Sequence, residues 1–463
     1  MTGSDPDSAA AARESRSGPG SQPGSILIRN ATIVTMNDRF DIIEGAVVVR
    51  DGRISSAGPD PGGRYDTVID AAGGYLLPGF IQTHIHLCQT LFRGSADDMP
   101  LLEWLKRRVW PMEAAHTPAT LRASVRLAAA ELLLSGTTSV LTMETVHDTD
   151  VVFDTLAPIG LRASIGKCMM DASGDAPARL QEQTSRSIDE SLALKKRWDG
   201  AANGRLRAAF APRFAVSCSR DLLEAVAALS LQQQAIVHTH ASESRDEVET
   251  VRRLSGGFSN LEYLADTGLA TPRLCAAHCV WVTDREQELL AERDVKVLHC
   301  PGSNLKLGSG IAPVADMRAR GISVSLGADG AACNNRLDMF DEIRLAATLQ
   351  GVRKAPGALT ARDAVWMATR EGARALGLEE EIGSIEPGKR ADLIIVERDR
   401  PHLAPDADPW STLAYAARGT DVRLTMIDGH VLVDRFALTH LDAAAIVAEA
   451  RSAAAELTAR AEV

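Results

Sequence analysis

Pro78-Gly79-Phe80-Ile81-Gln82-Thr83-His84-Ile85-His86 reads as the end of a strand that carries two imidazoles. The apolar run Tyr75-Leu76-Leu77 leads into it, after Gly73-Gly74. Side chains two apart on a strand face the same way, so His84 and His86 share one side. Two imidazoles on one face, where a strand ends, make half of a metal site. Zinc accepts nitrogen and carboxylate ligands, and a catalytic site keeps one position open for water. A His-x-His pair is short enough to arise by chance, so the other half must come from elsewhere in the chain.

Outward from this stretch, from about residue 77 to residue 376, apolar strand candidates alternate with amphipathic helical stretches. After the first strand, Tyr75 to Ile85, come Ser139-Val140-Leu141, Arg162 to Ile165, Leu206 to Phe210, Ala235-Ile236-Val237, Leu274 to Ala277, Val295 to Leu298 and Ser323 to Leu326. Eight such units predict an α/β fold, a parallel (β/α)8 TIM-like barrel with its chemistry at the C-terminal ends of the strands. The flanks are β-rich. Runs such as Ala46 to Val49, Ala391 to Val396 and Val422 to Ile427 are punctuated by Asp51-Gly52 and Asp428-Gly429, both two-residue hairpin signals. They predict a small β-sandwich domain built from both chain ends, residues 26–76 plus 377–440, around a barrel of residues 77–376. Residues 441–463 are Ala-rich and read as a C-terminal helix, and the Ser/Gly/Pro/Ala-rich residues 1–25 as a disordered tail.

The chain has 463 residues, 45% of them hydrophobic and 24% charged, enough for a large barrel core. Its formal net charge of −11 argues against nucleic acid as a partner, because a phosphate backbone wants clustered Lys and Arg. No apolar run approaches the roughly 18 residues of a membrane helix. The seven cysteines are scattered, with no Cys-x-x-Cys pair, which fits a reducing, cytoplasmic setting and excludes a zinc ribbon. The expected partner is a small heterocyclic molecule, with a homo-oligomer possible.

Polar residues recur where the barrel strands should end. The first ends in His84 and His86, the fifth in His238-Thr239-His240 with Glu243 beyond, the sixth in His278, the seventh in His299 and the eighth in Asp329. Three neutral imidazoles and a carboxylate suit one divalent first-row ion, most plausibly zinc, one per subunit. The ion lowers the pKa of a bound water and supplies a nucleophile near neutrality. A second metal would want a bridging lysine at the fourth strand, and residues 205–219 contain none. Lys167, near the end of the third strand, reads as structural or substrate-facing, and His238 as an alternate ligand to His240.

With these residues the chain resembles the amidohydrolase superfamily, in its branch of aminohydrolases and chlorohydrolases that act on nitrogen heterocycles. The matches are Pro78 through His86, His240-x-x-Glu243, Ala277-His278-Cys279, His299-Cys300-Pro301-Gly302-Ser303-Asn304, Gly327-Ala328-Asp329-Gly330 and the return Ile382 through Asp392. The resemblance implies His84, His86, His240 and Asp329 as metal ligands and Glu243 as proton carrier. It implies that His278 orients or deprotonates the water. A carboxylate three residues past a ligand can take the water proton and pass it to a ring nitrogen. Asp329 or Glu243 then protonates the departing ammonia.

The front half resembles guanine deaminase, through Gln89, Pro100 to Leu105, Gly166 to Asp171 and Pro212 to Ser219. On that reading Gln89 meets a purine edge, Arg213 a ring carbonyl and Phe214 the ring face. The back half, Ser303 to Leu307 and Asp329 to Met339, is similar to S-adenosylhomocysteine/methylthioadenosine deaminases and triazine hydrolases. That resemblance would place Trp104 and Glu113 on a nucleoside, with Glu113 on ribose hydroxyls. His299 and Asn304 complete the expected substrate contacts. The leading expectation is zinc-dependent deamination of guanine or a guanine-like purine or pterin. Adenosine-type nucleosides, and triazine amino- or chlorohydrolysis, are the alternatives.

Overall fold

The computed structural model describes residues 24–172 and 174–463. The tail expected over residues 1–25 lies, except for its last two residues, outside the described residues.

All eight barrel strands form. In order they are Phe80–His86, Thr137–Met143, Arg162–Met169, Leu206–Pro212, Val237–Ala241, Leu274–His278, Lys296–His299 and Val324–Leu326, each parallel to its neighbour. The two-residue strand Asp329–Gly330 then pairs in parallel with Ile85 and His86 and brings the eighth unit back to the first. Thr83 helps close the circle, its Oγ1 donating to Leu326 O at 2.9 Å. These strands are buried almost throughout, as expected of parallel strands covered by helices on one side and packed barrel side chains on the other.

The first strand begins later than the apolar run suggests. Tyr75–Pro78 belongs to the second sheet, where it pairs antiparallel with Leu393–Val396, and only Phe80 onward enters the barrel. Gly79 makes the passage possible. A Cβ there would lie 2.1 Å from the Thr138 side chain, so no larger residue lets the two strands approach.

Among the described residues the second sheet has nine mixed strands from both chain ends, including Ile26–Val34, Ile42–Arg50, Leu393–Val396 and Val422–Ile427. Ile26, Ile28, Val47 and Val49 share one core with Leu393, Ile395, Leu424 and Met426. Leu27, Ala46 and Val48 face the other way, the alternation a strand imposes. Both Asp-Gly turns sit between directly paired residues, Arg50 with Arg53 and Ile427 with His430, and all four turn residues have positive φ. Arg162 ties the two sheets together from the third barrel strand. Its Nε lies 2.8 Å from Asp392 Oδ2 and its Nη2 lies 2.7 Å from Asp428 Oδ1, all three side chains being buried. The helix Ala443–Ala461 packs Ile446, Ala450 and Leu457 against the chain's own barrel. Among the described residues no helix is long and apolar enough to cross a membrane.

Candidate metal centre and active site

The strand ends converge as the alternation requires. His84 and His86 point into the barrel from Phe80–His86, and His238 and His240 from Val237–Ala241. His278 closes Leu274–His278 with φ +71°, followed by Cys279 at +47°, and Asp329 has φ +62°. Non-glycine residues resist this left-handed conformation, so these three positions carry backbone strain. Two glycines flank Asp329 closely, one against His84 and one against Gln89. A Cβ on Gly327 would lie 2.5 Å from the His84 carbonyl oxygen, and one on Gly330 would lie 2.2 Å from Gln89 Oε1.

The hydrogen bonds around the histidines decide what the site can hold. His86 Nδ1 is 2.7 Å from Met143 O, and His240 Nδ1 is 2.7 Å from Arg213 O. A carbonyl oxygen only accepts, so both Nδ1 atoms carry the hydrogen, and in the neutral rings both Nε2 atoms are bare lone pairs. Those two Nε2 atoms face each other at 3.3 Å. Asp329 Oδ1 lies 3.2 Å from His86 Nε2 and 3.3 Å from His84 Nε2, and His84 Nε2 has no hydrogen-bond partner. Imidazole and carboxylate lone pairs therefore meet with no hydrogen between the two Nε2 atoms, an arrangement that a cation satisfies. His84, His86 and His240 offer ligand atoms within 4.8 Å of one another, as do His84, His278 and Asp329. The donor set fits zinc.

Burial lowers the His84 pKa to about 4, which keeps that ring neutral for a metal. Burial alone would raise the Asp329 carboxyl; a proton on His84 or His86 opposes it and holds the carboxyl well below the usual range. Ser303 Oγ donates to Asp329 Oδ2 at 2.7 Å.

Glu243 and His278 stand beside this centre. His278 Nε2 lies 3.5 Å from Glu243 Oε2 and 3.9 Å from Asp329 Oδ2, between two carboxylates and hydrogen-bonded to neither. Burial pushes the Glu243 carboxyl up to about 7, with His278 opposing. A group at that value can both take and return a proton near neutrality. Glu243 is held by its backbone, whose N–H donates to Glu247 Oε2 at 2.6 Å, and by Ser309 Oγ at 3.3 Å.

A cavity opens onto these groups. His86, His240, Glu243 and Asp329 form its floor; Gln89, Arg213 and Phe214 form its waist; and Leu101, Trp104, Leu105 and Leu307 form its outer wall. Trp104 ends a short helix that continues as the π-helical turn Leu105–Val109, a feature frequent at functional sites. A larger cleft, lined by Arg207, Arg273 and Lys296, lies away from this cluster of groups, at the opposite ends of the strands.

Several expected contacts take other places. Arg213 is engaged by Glu113, through Nη1 to Oε2 at 2.7 Å and Nη2 to Oε1 at 3.2 Å, and Gln89 Nε2 donates to the same carboxylate at 2.9 Å. Glu113 thus sits behind Gln89 and Arg213 rather than on the cavity wall, and Arg213 is not free to offer its fork to a guanine carbonyl. Gln89 Oε1 and Trp104 Nε1 are buried without partners, leaving one acceptor and one donor for a ligand. Asn304 Oδ1 accepts from His278 Nδ1 at 2.9 Å, so Asn304 orients that ring instead of lining the cavity. His299 is buried with neither ring nitrogen bonded and also lies off the cavity wall. His238 is not among the converging atoms; its Nε2 is 2.6 Å from His84 Nδ1. Lys167 is structural, bonded to Glu182 at 2.6 Å.

Glu144 was not singled out by the sequence. It follows the second barrel strand and accepts the backbone N–H groups of Leu87 and Cys88, at 3.2 and 3.0 Å, which fixes the turn between His86 and Gln89. A strand-end carboxylate was the available signal.

Residues 75–432 match the family model described as "Amidohydrolase family". A 5′-deoxyadenosine deaminase of Methanosarcina acetivorans is 40% identical over 438 residues, 94% of this chain and 99% of the relative. A 5-methylthioadenosine/S-adenosylhomocysteine deaminase of Symbiobacterium thermophilum is 40% identical over 439 residues, 93% of this chain and 99% of the relative. The crystal structure of an adenosine deaminase from Xanthomonas campestris with bound zinc superposes with a TM-score of 0.89 at 34% identity, covering 95% of this chain and all of that one. These relatives are named for adenine nucleosides, not for guanine, and the engagement of Arg213 by Glu113 agrees with them. Both observations favour the adenosine-type alternative over guanine as the leading expectation.

Proposed function

The chain belongs to the amidohydrolase family, and on that premise we propose that it is a zinc-dependent deaminase of adenosine-type nucleosides, 5′-deoxyadenosine and methylthioadenosine first among them. As an enzyme it is a hydrolase of C–N bonds in cyclic amidines. The observation that carries the reading is the convergence of the His84, His86, His240 and Asp329 lone pairs beside the Glu243–His278 pair. Zinc held by those four residues would act as a Lewis acid that makes water nucleophilic near neutrality.

The remaining work falls to the chain. Glu243 takes the proton of the attacking water and delivers it to the ring nitrogen beside the amino-bearing carbon, which makes that carbon electrophilic. His278, oriented by Asn304, presents Nε2 between Glu243 and Asp329 and aims the water at the carbon. The remaining hydroxyl proton of the adduct then passes through Glu243 or Asp329 to the amino group; the C–N bond breaks, ammonia leaves and a ring carbonyl remains. Phe214 lines the waist of the cavity, where a purine face would stack. With the amino group at the metal floor, the sugar and its 5′ substituent extend toward Leu101, Trp104, Leu105 and Leu307. That wall suits a 5′-methyl or methylthio group better than a charged amino-acid tail.

The test is Glu243→Gln, which keeps shape but cannot carry the proton. It should retain one zinc per chain and lose about 10²- to 10⁴-fold in kcat for ammonia release. Normal turnover by the zinc-loaded variant would overturn the role given to Glu243.

A further inference from the structure

We propose that His238 is a positioning residue, which holds His84 in the one tautomer whose Nε2 can bind a metal. The inference rests on the ligand set above and adds a residue to it. His86, His240 and His278 each have Nδ1 against an oxygen acceptor, Met143 O, Arg213 O and Asn304 Oδ1. A carbonyl has no hydrogen to give, so those rings carry theirs on Nδ1. His84 differs, because its Nδ1 meets a nitrogen, His238 Nε2, at 2.6 Å.

A neutral imidazole has one N–H and one bare nitrogen, so this pair has two arrangements. In the first, His84 Nδ1–H donates to His238 Nε2 and His84 Nε2 is bare and available. In the second, His238 Nε2–H donates to His84 Nδ1, and His84 carries its hydrogen on Nε2. That hydrogen would point toward Asp329 Oδ1, 3.3 Å away, and occupy the ligand position. The two arrangements hold the same number of protons. They differ in where His238 keeps its hydrogen, on Nδ1 in the first and on Nε2 in the second. His238 Nδ1 is buried and has no partner among the described residues. Each arrangement leaves His238 Nδ1 without a partner, as a hydrogen in the first and as a lone pair in the second. With a metal on His84 Nε2 only the first is open, and the His238 Nε2 lone pair accepts the His84 Nδ1 hydrogen. Groups that orient metal ligands carry a large share of metal affinity, about 10- to 100-fold for a typical one. Here that group is an imidazole whose own tautomer must agree.

The test uses two full-length variants and zinc dissociation constants from chelator competition, a readout independent of substrate. Gln at this position offers an oxygen acceptor at a reach similar to Nε2, and Leu offers none. His238→Leu should weaken zinc about 10- to 100-fold. His238→Gln should bind within about threefold of the parent, or more tightly, since its amide oxygen stabilises the metal-binding tautomer of His84. The unfolding midpoints of both variants, stripped of metal, separate this from general damage. If folded His238→Leu binds zinc like the parent, or folded His238→Gln binds as poorly as His238→Leu, His238 does not act through its acceptor. Should His238→Leu fail to fold, the His238→Gln variant decides alone, and a tenfold loss in it overturns the proposal. A parent chain that binds no zinc would instead sink the ligand set, a different failure.

Discussion

Gly330→Ala puts the waist of the cavity under a defined strain. The added Cβ would lie 2.2 Å from Gln89 Oε1, 3.1 Å from its Cδ and 3.5 Å from its Cβ. A non-bonded contact settles at about 3.5 Å, so the amide must retreat by roughly 1 Å. It cannot retreat freely, because Nε2 is tied to Glu113 at 2.9 Å and Glu113 is gripped by Arg213. Breaking the Gln89–Glu113 bond costs about 1.5–3 kcal/mol, since the acceptor is charged. A group displaced by 1 Å near the chemistry can cost about 10² in rate. We therefore expect kcat/KM for 5′-deoxyadenosine to fall about 10- to 100-fold with zinc content unchanged. A double-mutant cycle isolates the cause. Once Gln89 is truncated to Ala, the clash is gone, so Gln89→Ala/Gly330→Ala should match Gln89→Ala alone. Full activity in Gly330→Ala, or a double variant much worse than Gln89→Ala, would refute the packing of Gln89 against Gly330.

Three further outcomes follow from the same geometry. Burial sets the Glu243 carboxyl at about 7, and the residue must be ionised to accept a proton, so kcat/KM should rise with pH through that region and level off above it; a profile with its maximum at pH 5 would contradict this. Arg162→Leu leaves Asp392 buried without its cation, while Asp428 keeps Arg390 at 2.9 Å, and should cost about 3–5 kcal/mol in denaturant unfolding of the metal-loaded protein; an unchanged midpoint would show that the two sheets do not depend on it. Gly327→Ala drives a Cβ to within 2.5–2.6 Å of the His84 backbone and should strip zinc, which metal analysis of the purified variant checks against the parent.

The barrel was legible because parallel strands are buried on both sides and read as short apolar runs at even spacing. The first strand misled for the same reason. Tyr75-Leu76-Leu77 is as apolar as Phe80-Ile81, and nothing in side-chain character marks the change of sheet at Gly79. The four converging groups were legible from residue type at strand ends. Much of what orients them was not, because Met143 O and Arg213 O are backbone atoms that every residue possesses. Arg213 and Glu113 lie 100 positions apart, so their pairing left no local signal and Arg213 read as a substrate donor. Asn304 and His238 were visible as polar residues in the right motifs. What each touches depended on which barrel layer it occupies, and periodicity does not give that. All of the outer wall but Leu307 came from the short helix and π turn at residues 101–109, an irregular segment whose side-chain directions follow no simple period.

The most direct test of the account is ammonia release by the zinc-loaded protein, as kcat/KM, from 5′-deoxyadenosine, methylthioadenosine and guanine side by side. The account predicts that both nucleosides exceed guanine by about 10² or more, because the Arg213 fork is held by Glu113 and the outer wall is built for an apolar 5′ end. Preference for guanine, or no release from either nucleoside with zinc bound, would contradict it.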